Sequence, residues 1–209
     1  RLACGSVFAF LLLMSGGVFG QVTIFSESMG TTASNSDVIS TYTGFQNAST
    51  LPFSGSAVMR TSTTSSGYTG ASASINVGFT SFDKDFIIDN INASGYTGLT
   101  LSFGLLKVNA ASNANFKISY STTGTGGTFT DIPITLSGST WALFSSSASI
   151  PNNITSLRFY RNSAGTSGWE FRLDDIKLTG TVSGKTSTGT GDWNTAGTWT
   201  PSGVPSATD

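Results

Sequence analysis

Two adjacent aspartates, Asp174 and Asp175, interrupt the most regularly patterned stretch of this chain. In WEFRLDDIKLTG, residues 169–180, Trp169, Phe171 and Leu173 alternate with Glu170 and Arg172, yet Ile176 and Leu178 continue on even numbers. Side chains along a strand change faces at every residue. Either the strand therefore carries an extra residue at the pair, or one acid points where core residues point. A buried carboxylate is costly unless a cation, an arginine or N–H groups meet it. Two solutions are open. In the first, the slip is a β-bulge, both acids lie near the sheet rim, and Arg158, Arg161 or Arg172, or backbone N–H groups, balance them. In the second, Asp174 or Asp175 joins Glu27 from the first strand and backbone carbonyls around a structural calcium ion, a hard cation that takes about six to eight oxygens.

Other chemistries are restricted by what the chain lacks. It contains no histidine, and its one cysteine, Cys4, lies in the leader. Ser-His-Asp and Cys-His nucleophilic sites, histidine-ligated zinc and thiolate chemistry in the mature chain are thereby excluded. The glycines sit in Ser/Thr-rich turns with no Lys-Ser/Thr pair after them, so no phosphate loop is present. Of eleven acidic residues only Glu27 and Glu170 are glutamates. Glu170 shares its outward set with Arg172 and reads as an ion-pair partner, which argues against a glycosidase carboxylate pair. The chain is read as non-catalytic. Ten basic residues balance the eleven acids without forming a basic stripe, so nucleic acid is not an expected partner. Sugar recognition would need exposed rings, and the candidates are Trp141 after a GST turn and Tyr68 and Tyr96 in Gly-rich loops. Trp169 shares the parity of Phe171 and Leu173 and is expected in the core.

The elements that must position these residues are strands. Charged residues make up only 10% of the 209, hydrophobic residues 38% and aromatic residues 11%, with 25 glycines. Helix formers are scarce, while Thr, Val, Ile, Phe and Tyr recur in short runs bounded by Gly, Asn and Ser. Residues 1–20 read as a secretory signal peptide: Arg1, an apolar block from Val7 to Met14, then small residues ending at Gly20. The block is too short to span a bilayer, so no membrane insertion of the mature chain is expected. Strands are expected at the start (VTIFSESMG), at Ala57–Thr61, Ala73–Phe79 and Phe86–Ile91, then at the alternating sets Leu99–Leu105 and Phe116–Tyr120. Others follow at Ile132–Leu136, Trp141–Phe144, Leu157–Tyr160 and Trp169–Leu178. Residues 31–52 read as a loop anchored by Val38, Ile39, Tyr42 and Phe45, and Pro133 favours an edge or a bulge. This pattern predicts an all-β domain over residues 21–182, a two-sheet antiparallel β-sandwich of jelly-roll type, with a closed barrel as the alternative. Residues 183–191 read as a linker, and 192–209, DWNTAGTWTPSGVPSATD, as the start of a further module. Asn-x-Ser/Thr sequons stand at Asn47, Asn92 and Asn153.

The closing run RLDDIKLTG, with LTLSFGL and FKISYSTTGTGGTFTDI before it, resembles the jelly-roll modules of secreted bacterial proteins, among them carbohydrate-binding, MAM-like and choice-of-anchor domains. In carbohydrate-binding members an acid in the first strand and an aspartate in the last share a calcium ion, and Glu27 and Asp174 are the matching positions. Residues 191–209 resemble the opening of modules in Bacteroidetes-type surface proteins that precede a β-solenoid. The resemblance implies an extracellular module for carbohydrate binding or adhesion within a larger secreted or cell-surface protein, with a glycan as partner. A structural spacer, or an accessory domain of a secreted hydrolase, is the alternative.

Overall fold

The computed structural model describes residues 20–108, 115–146, 149–162, 170–184, 186–187 and 191–200. Nearly all of the expected leader, Trp169, and residues 201–209 of the expected further module lie outside the described residues.

The described residues form thirteen strands. They are β1 (Gln21–Glu27), β2 (Phe53–Ser54), β3 (Val58–Arg60), β4 (Asn76–Phe79), β5 (Asp85–Ile88), β6 (Tyr96–Val108), β7 (Phe116–Ser121), β8 (Thr130–Ile132), β9 (Ala142–Ser145), β10 (Ser156–Arg161), β11 (Glu170–Val182), β12 (Thr186–Ser187) and β13 (Trp199–Thr200). One sheet runs β3-β4-β11-β6-β9, with β1 also pairing β11; the other runs β2-β5-β10-β7-β8. Every pairing is antiparallel. From β4 to β7, and again from β9 to β11, the chain passes from one sheet to the other at each step, which is jelly-roll winding. The two sheets keep separate edges, so the domain is a sandwich and not a closed barrel. β12 and β13 form a small ribbon of their own.

Period-two patterning decides which side chains fill the space between the sheets. Leu99, Leu101, Phe103 and Leu105 of β6 are buried there, as are Phe116 and Ile118 of β7 and Leu157 and Phe159 of β10. Phenylalanines from facing sheets then interlock: Phe79 with Phe116 (ring centroids 5.1 Å apart), Phe116 with Phe171 (5.0 Å) and Phe103 with Phe159 (5.5 Å). Such edge and tilted contacts between large rings hold two sheets in one relative position, where smaller aliphatics would permit sliding.

Three differences from expectation have physical causes. β4 begins at Asn76 and not at Ala73, because Ala73 adopts a left-handed φ of 53° and donates its N–H to the Ser65 hydroxyl at 3.1 Å. Within the expected loop 31–52, Ile39 and Phe45 are buried anchors but Val38 is 46% exposed; just beyond it, Phe53–Ser54 adds an edge strand against β5. Third, the connection 61–75 is not a free turn. It folds across the outer face of the six-stranded sheet, where its carbonyls accept hydrogen bonds from Trp141 Nε1 (Thr63 O, 3.1 Å) and Arg172 Nη1 (Ser62 O, 3.0 Å). Pro133 follows directly on β8, an edge strand, as its missing N–H requires.

Phe159→Ala is expected to remove about 3 to 5 kcal/mol of unfolding free energy. Phe82→Ala, at a ring 52% exposed, should change it by less than about 0.5 kcal/mol. Urea titrations of both variants check the assignment of core and surface.

Candidate functional site

Asp174 and Asp175 sit where β11 changes partner. Along one edge β11 pairs β4 up to Leu173↔Val77, and β1 takes over from Ile176↔Glu27. On the other edge the register with β6 steps from Asp174↔Gly104 to Lys177↔Ser102. One extra residue is accommodated, and Asp175 is left-handed at φ 49°. The phase slip is a β-bulge. It lies in the middle of a thirteen-residue strand and not at the sheet rim.

The bulge leaves Phe171, Leu173, Ile176 and Leu178 in the core and turns Arg172 and Asp174 to the outer face, where both are buried beneath residues 61–75. Asp174 Oδ1 accepts the Asp175 N–H at 2.8 Å and Oδ2 the Ser72 hydroxyl at 3.1 Å. Asp175 Oδ2 accepts the Ser72 N–H at 3.1 Å and the Tyr68 hydroxyl. Tyr68 reaches it by crossing Gly104, where a Cβ would overlap the phenol oxygen. Burial, and then the neighbouring Asp175 charge, push the Asp174 carboxyl up to about 7, although hydrogen bonds from Ser65, the Asp175 N–H and Ser72 pull the other way. Burial and the bond to Asp175 raise the Tyr68 phenol above its ordinary value.

Among the described residues no arginine balances the pair. Arg172 Nη2 donates to Glu170 Oε2 at 3.0 Å, and Arg60 Nε and Arg172 Nε lie 3.1 and 3.0 Å from Glu170 Oε1 without hydrogen-bond alignment. Arg158 pairs with Asp85, and Arg161 Nη1 donates to the Phe79 carbonyl. Of the two ways to balance the acids without a metal, backbone N–H groups and hydroxyls are used and arginine is not.

Glu27 ends β1 at the same junction, 1% exposed. Its Oε1 accepts the Met29 and Gln46 N–H groups at 2.9 and 3.1 Å. Its Oε2 accepts the Asn47 N–H at 3.0 Å and the Asn47 side-chain amide at 2.9 Å. A carboxylate offers about four lone-pair positions, and four N–H groups occupy these. The donor set therefore does not fit Glu27 as a calcium ligand. Among the described residues no three Asp, Glu, His or Cys side chains converge as a metal-holding group. Glu27 and Asp175 do border one cleft of about 520 Å³, together with Ser26, Gln46, Thr69 and Lys177.

The expected sugar-stacking rings are placed differently from one another. Trp141 is 8% exposed with its indole N–H bonded to the Thr63 carbonyl, so neither face of the ring is offered. Tyr68 is half-buried with its hydroxyl bound to Asp175. Tyr96, also half-buried, opens β6 and packs against the core.

An aromatic and hydrogen-bonding surface lies elsewhere, on the outer face of the five-stranded sheet. With Leu157 and Phe159 turned inward, Arg158 and Tyr160 of β10 must point out. The Arg158 guanidinium carbon lies 4.6 Å from the Tyr160 ring centroid and 5.8 Å from that of Phe129. Its Nη2 pairs with Asp85 Oδ2 at 3.2 Å, while Asp85 Oδ1 is fixed by the Ser56 N–H and hydroxyl, both at 2.9 Å. No other donor of Arg158 has a partner among the described residues. Beside it, Lys117 and Asp131 pair at 2.7 Å and border a second cleft of about 400 Å³ along residues 131–136. Below Arg158, the Ser119 hydroxyl is buried without a hydrogen-bond partner among the described residues. The signal for this face was present in the run Leu157-Arg158-Phe159-Tyr160: two apolar residues at one parity fix the outward direction of the two between them.

No family model matches the chain, and no curated protein matches it. Among solved structures, the K2 cleaved adhesin domain of Lys-gingipain is similar at 13% identity and a TM-score of 0.46, covering 74% of this chain and 96% of that one. The CBM22-1 xylan-binding domain of Paenibacillus barcinonensis Xyn10C is similar at 12% identity and a TM-score of 0.45, covering 79% and 99%. The CBM22-1–GH10 modules of Clostridium thermocellum xylanase 10B, complexed with xylohexaose, follow at 13% and 0.45, covering 83% of this chain and 31% of that one. No helix among the described residues is long and apolar enough to cross a membrane.

The raised Asp174 carboxyl has a definite sign. Its folded value of about 7 exceeds the unfolded value of 3.8, so between these the native state holds a proton that the unfolded chain has lost. This residue's contribution to stability therefore falls as pH rises from about 4 to about 7 and is constant above that. The stability difference between the wild type and Asp174→Asn, from urea titrations across that window, should drift in favour of the variant as pH rises; a constant difference would contradict the assignment.

Proposed function

We propose that the domain is a non-catalytic recognition module that binds glycan on the outer face of its five-stranded sheet, as part of a larger secreted or cell-surface protein. The observation that carries this reading is the ordered set Arg158, Tyr160 and Phe129. A partly exposed guanidinium, seated against two rings and fixed by a carboxylate, offers its remaining terminal N–H groups to sugar hydroxyls, and the partly exposed rings supply apolar surface to the C–H face of a pyranose. The adjoining Lys117–Asp131 pair adds a donor and an acceptor at the rim, and the cleft along residues 131–136 extends the surface for a chain of sugar rings. Since both ion pairs are internally neutral, the face suits uncharged polyols better than a strong anion. Trp141 and Tyr68 enter this reading as parts that hold the opposite face together, and not as ligand rings.

A non-catalytic role is supported by where the glutamates are used. Glu27 is taken by four N–H groups and Glu170 by two arginines, and with no histidine in the chain a general acid–base pair has few candidates left. The leader pattern in residues 1–20 supports export.

Glycan-array binding of the whole chain tests the proposal, followed by titration of the best-bound oligosaccharide. Tyr160→Ala and Arg158→Ala are each expected to weaken binding by about tenfold or more, the loss of one well-made contact, with the melting temperature little changed. Absence of binding to any glycan would favour a structural spacer, and binding unaffected by both substitutions would move the site elsewhere.

A further inference from the structure

The junction of first and last strands resembles a cation seat in outline, yet its oxygens are occupied by N–H and O–H groups. We propose that this junction is a metal-independent latch, in which amide and hydroxyl donors of the chain itself hold the position that a calcium ion would hold. The inference is separate from glycan binding and rests on the donor set alone.

Three features carry it. A calcium ligand must point lone pairs at the ion, and both Glu27 oxygens point theirs at N–H groups from Met29, Gln46 and Asn47. These donors come from the start and the end of the 28–47 excursion, so one carboxylate pins both ends of that loop to β1. The two aspartates are similarly engaged from a second excursion: Ser72 supplies its N–H to Asp175 and its hydroxyl to Asp174, and Tyr68 its hydroxyl to Asp175. Finally, the two excursions are tied to each other, since the Ser74 hydroxyl donates to the Gly30 carbonyl. The donors therefore do mechanically what a shared ion would do, joining β1, β11 and both loops at one place. The residues that allow it are specific: Gly104 leaves the path open for Tyr68, and Gly30, left-handed at φ 78°, lies so close to the Gly44 carbonyl and the Tyr42 hydroxyl that a Cβ would overlap.

The wild-type chain in excess calcium and in chelator decides the matter. A latch of N–H donors predicts the same melting temperature in both. It also predicts slow hydrogen exchange of the Met29, Gln46, Asn47 and Ser72 amides in chelator, unaltered by calcium. Terbium, used as a calcium analogue, should show no sensitised luminescence from the domain. A calcium-dependent rise of about 5 to 10 °C, the size expected for an ion present far above its dissociation constant, would overturn the proposal. So would loss of protection at Gln46 and Asn47 on adding calcium, the sign of Glu27 being recruited to the ion. In chelator, Tyr68→Phe should speed exchange at Ser72 and leave Gln46 and Asn47 protected. If Tyr68→Phe left Ser72 exchange unchanged, the hydroxyl would have no part in the latch.

Discussion

The closing strand β11 must serve β6 along nearly its whole length while its other edge passes from β4 to β1. Both halves have to send apolar side chains to the same core, and the apolar residues before and after Asp174-Asp175 have opposite parity. In an unbroken strand, Ile176 and Leu178 would face outward and Lys177 and Thr179 inward, a substitution of charge for hydrocarbon that the core would not bear. One inserted residue restores the parity. It must accept a left-handed backbone, and aspartate is among the few non-glycine residues that do so readily. The N–H that the bulge removes from the ladder is recovered by the Asp174 carboxylate of the preceding residue. The acidic pair is in this sense part of the backbone's own accounting, one residue absorbing the turn and the other its lost hydrogen bond.

Once Asp174 faces away from the core, something must cover it, and that requirement shapes the outer face of the six-stranded sheet. The 61–75 connection brings Ser65, Tyr68 and Ser72 onto the carboxylates and places its own carbonyls over Arg172 and Trp141. It does so with left-handed residues at Thr63, Gly67, Gly70 and Ala73, a contorted path that persists because its anchoring contacts over-determine it. The Arg172–Glu170–Arg60 group under the same cover shows how a chain with few charges keeps those it buries: neighbours in sequence or across one ladder neutralise each other before the loop closes over them.

Much of this was legible in the sequence and some was not, for reasons that differ by residue. The alternation of Leu99 to Leu105 and of Phe116 to Tyr120 announced buried-face strands, and the parity slip marked the irregularity at Asp174-Asp175 with a bulge as one of its readings, because period-two patterning is a local property. That Glu27 lies beside β11 follows from pairing the terminal strands. The donors it meets do not, since the Gln46 and Asn47 N–H groups lie about twenty residues away and backbone amides leave no trace in residue type. The fate of Trp141 was ambiguous for a similar reason: a ring at the start of an edge strand is core or surface according to what folds over it, and the covering segment is a Ser/Thr/Gly run whose composition reads as open loop. The outward direction of Arg158 and Tyr160 is readable from the parity of Leu157 and Phe159, but their neighbours Asp85 and Phe129 are set by strand order, which no local pattern carries.

The two outer faces consequently have opposite characters. The six-stranded sheet is covered where its carboxylates lie, so a ligand there would have to displace the 61–75 connection and the bonds it makes to Asp174, Asp175, Arg172 and Trp141. On the five-stranded sheet Arg158, Tyr160 and Phe129 stay partly exposed, and among the described residues the guanidinium is paired with Asp85 alone. A partly exposed cation seated against two partly exposed rings is poorly explained by folding, since a hydrocarbon or a second ion pair would serve that surface as well. The polyhydroxylated partner proposed for it would bring acceptors and apolar C–H faces to that surface. Recognition is therefore proposed on the face that keeps its cation and rings partly exposed, and not on the face that a connection covers.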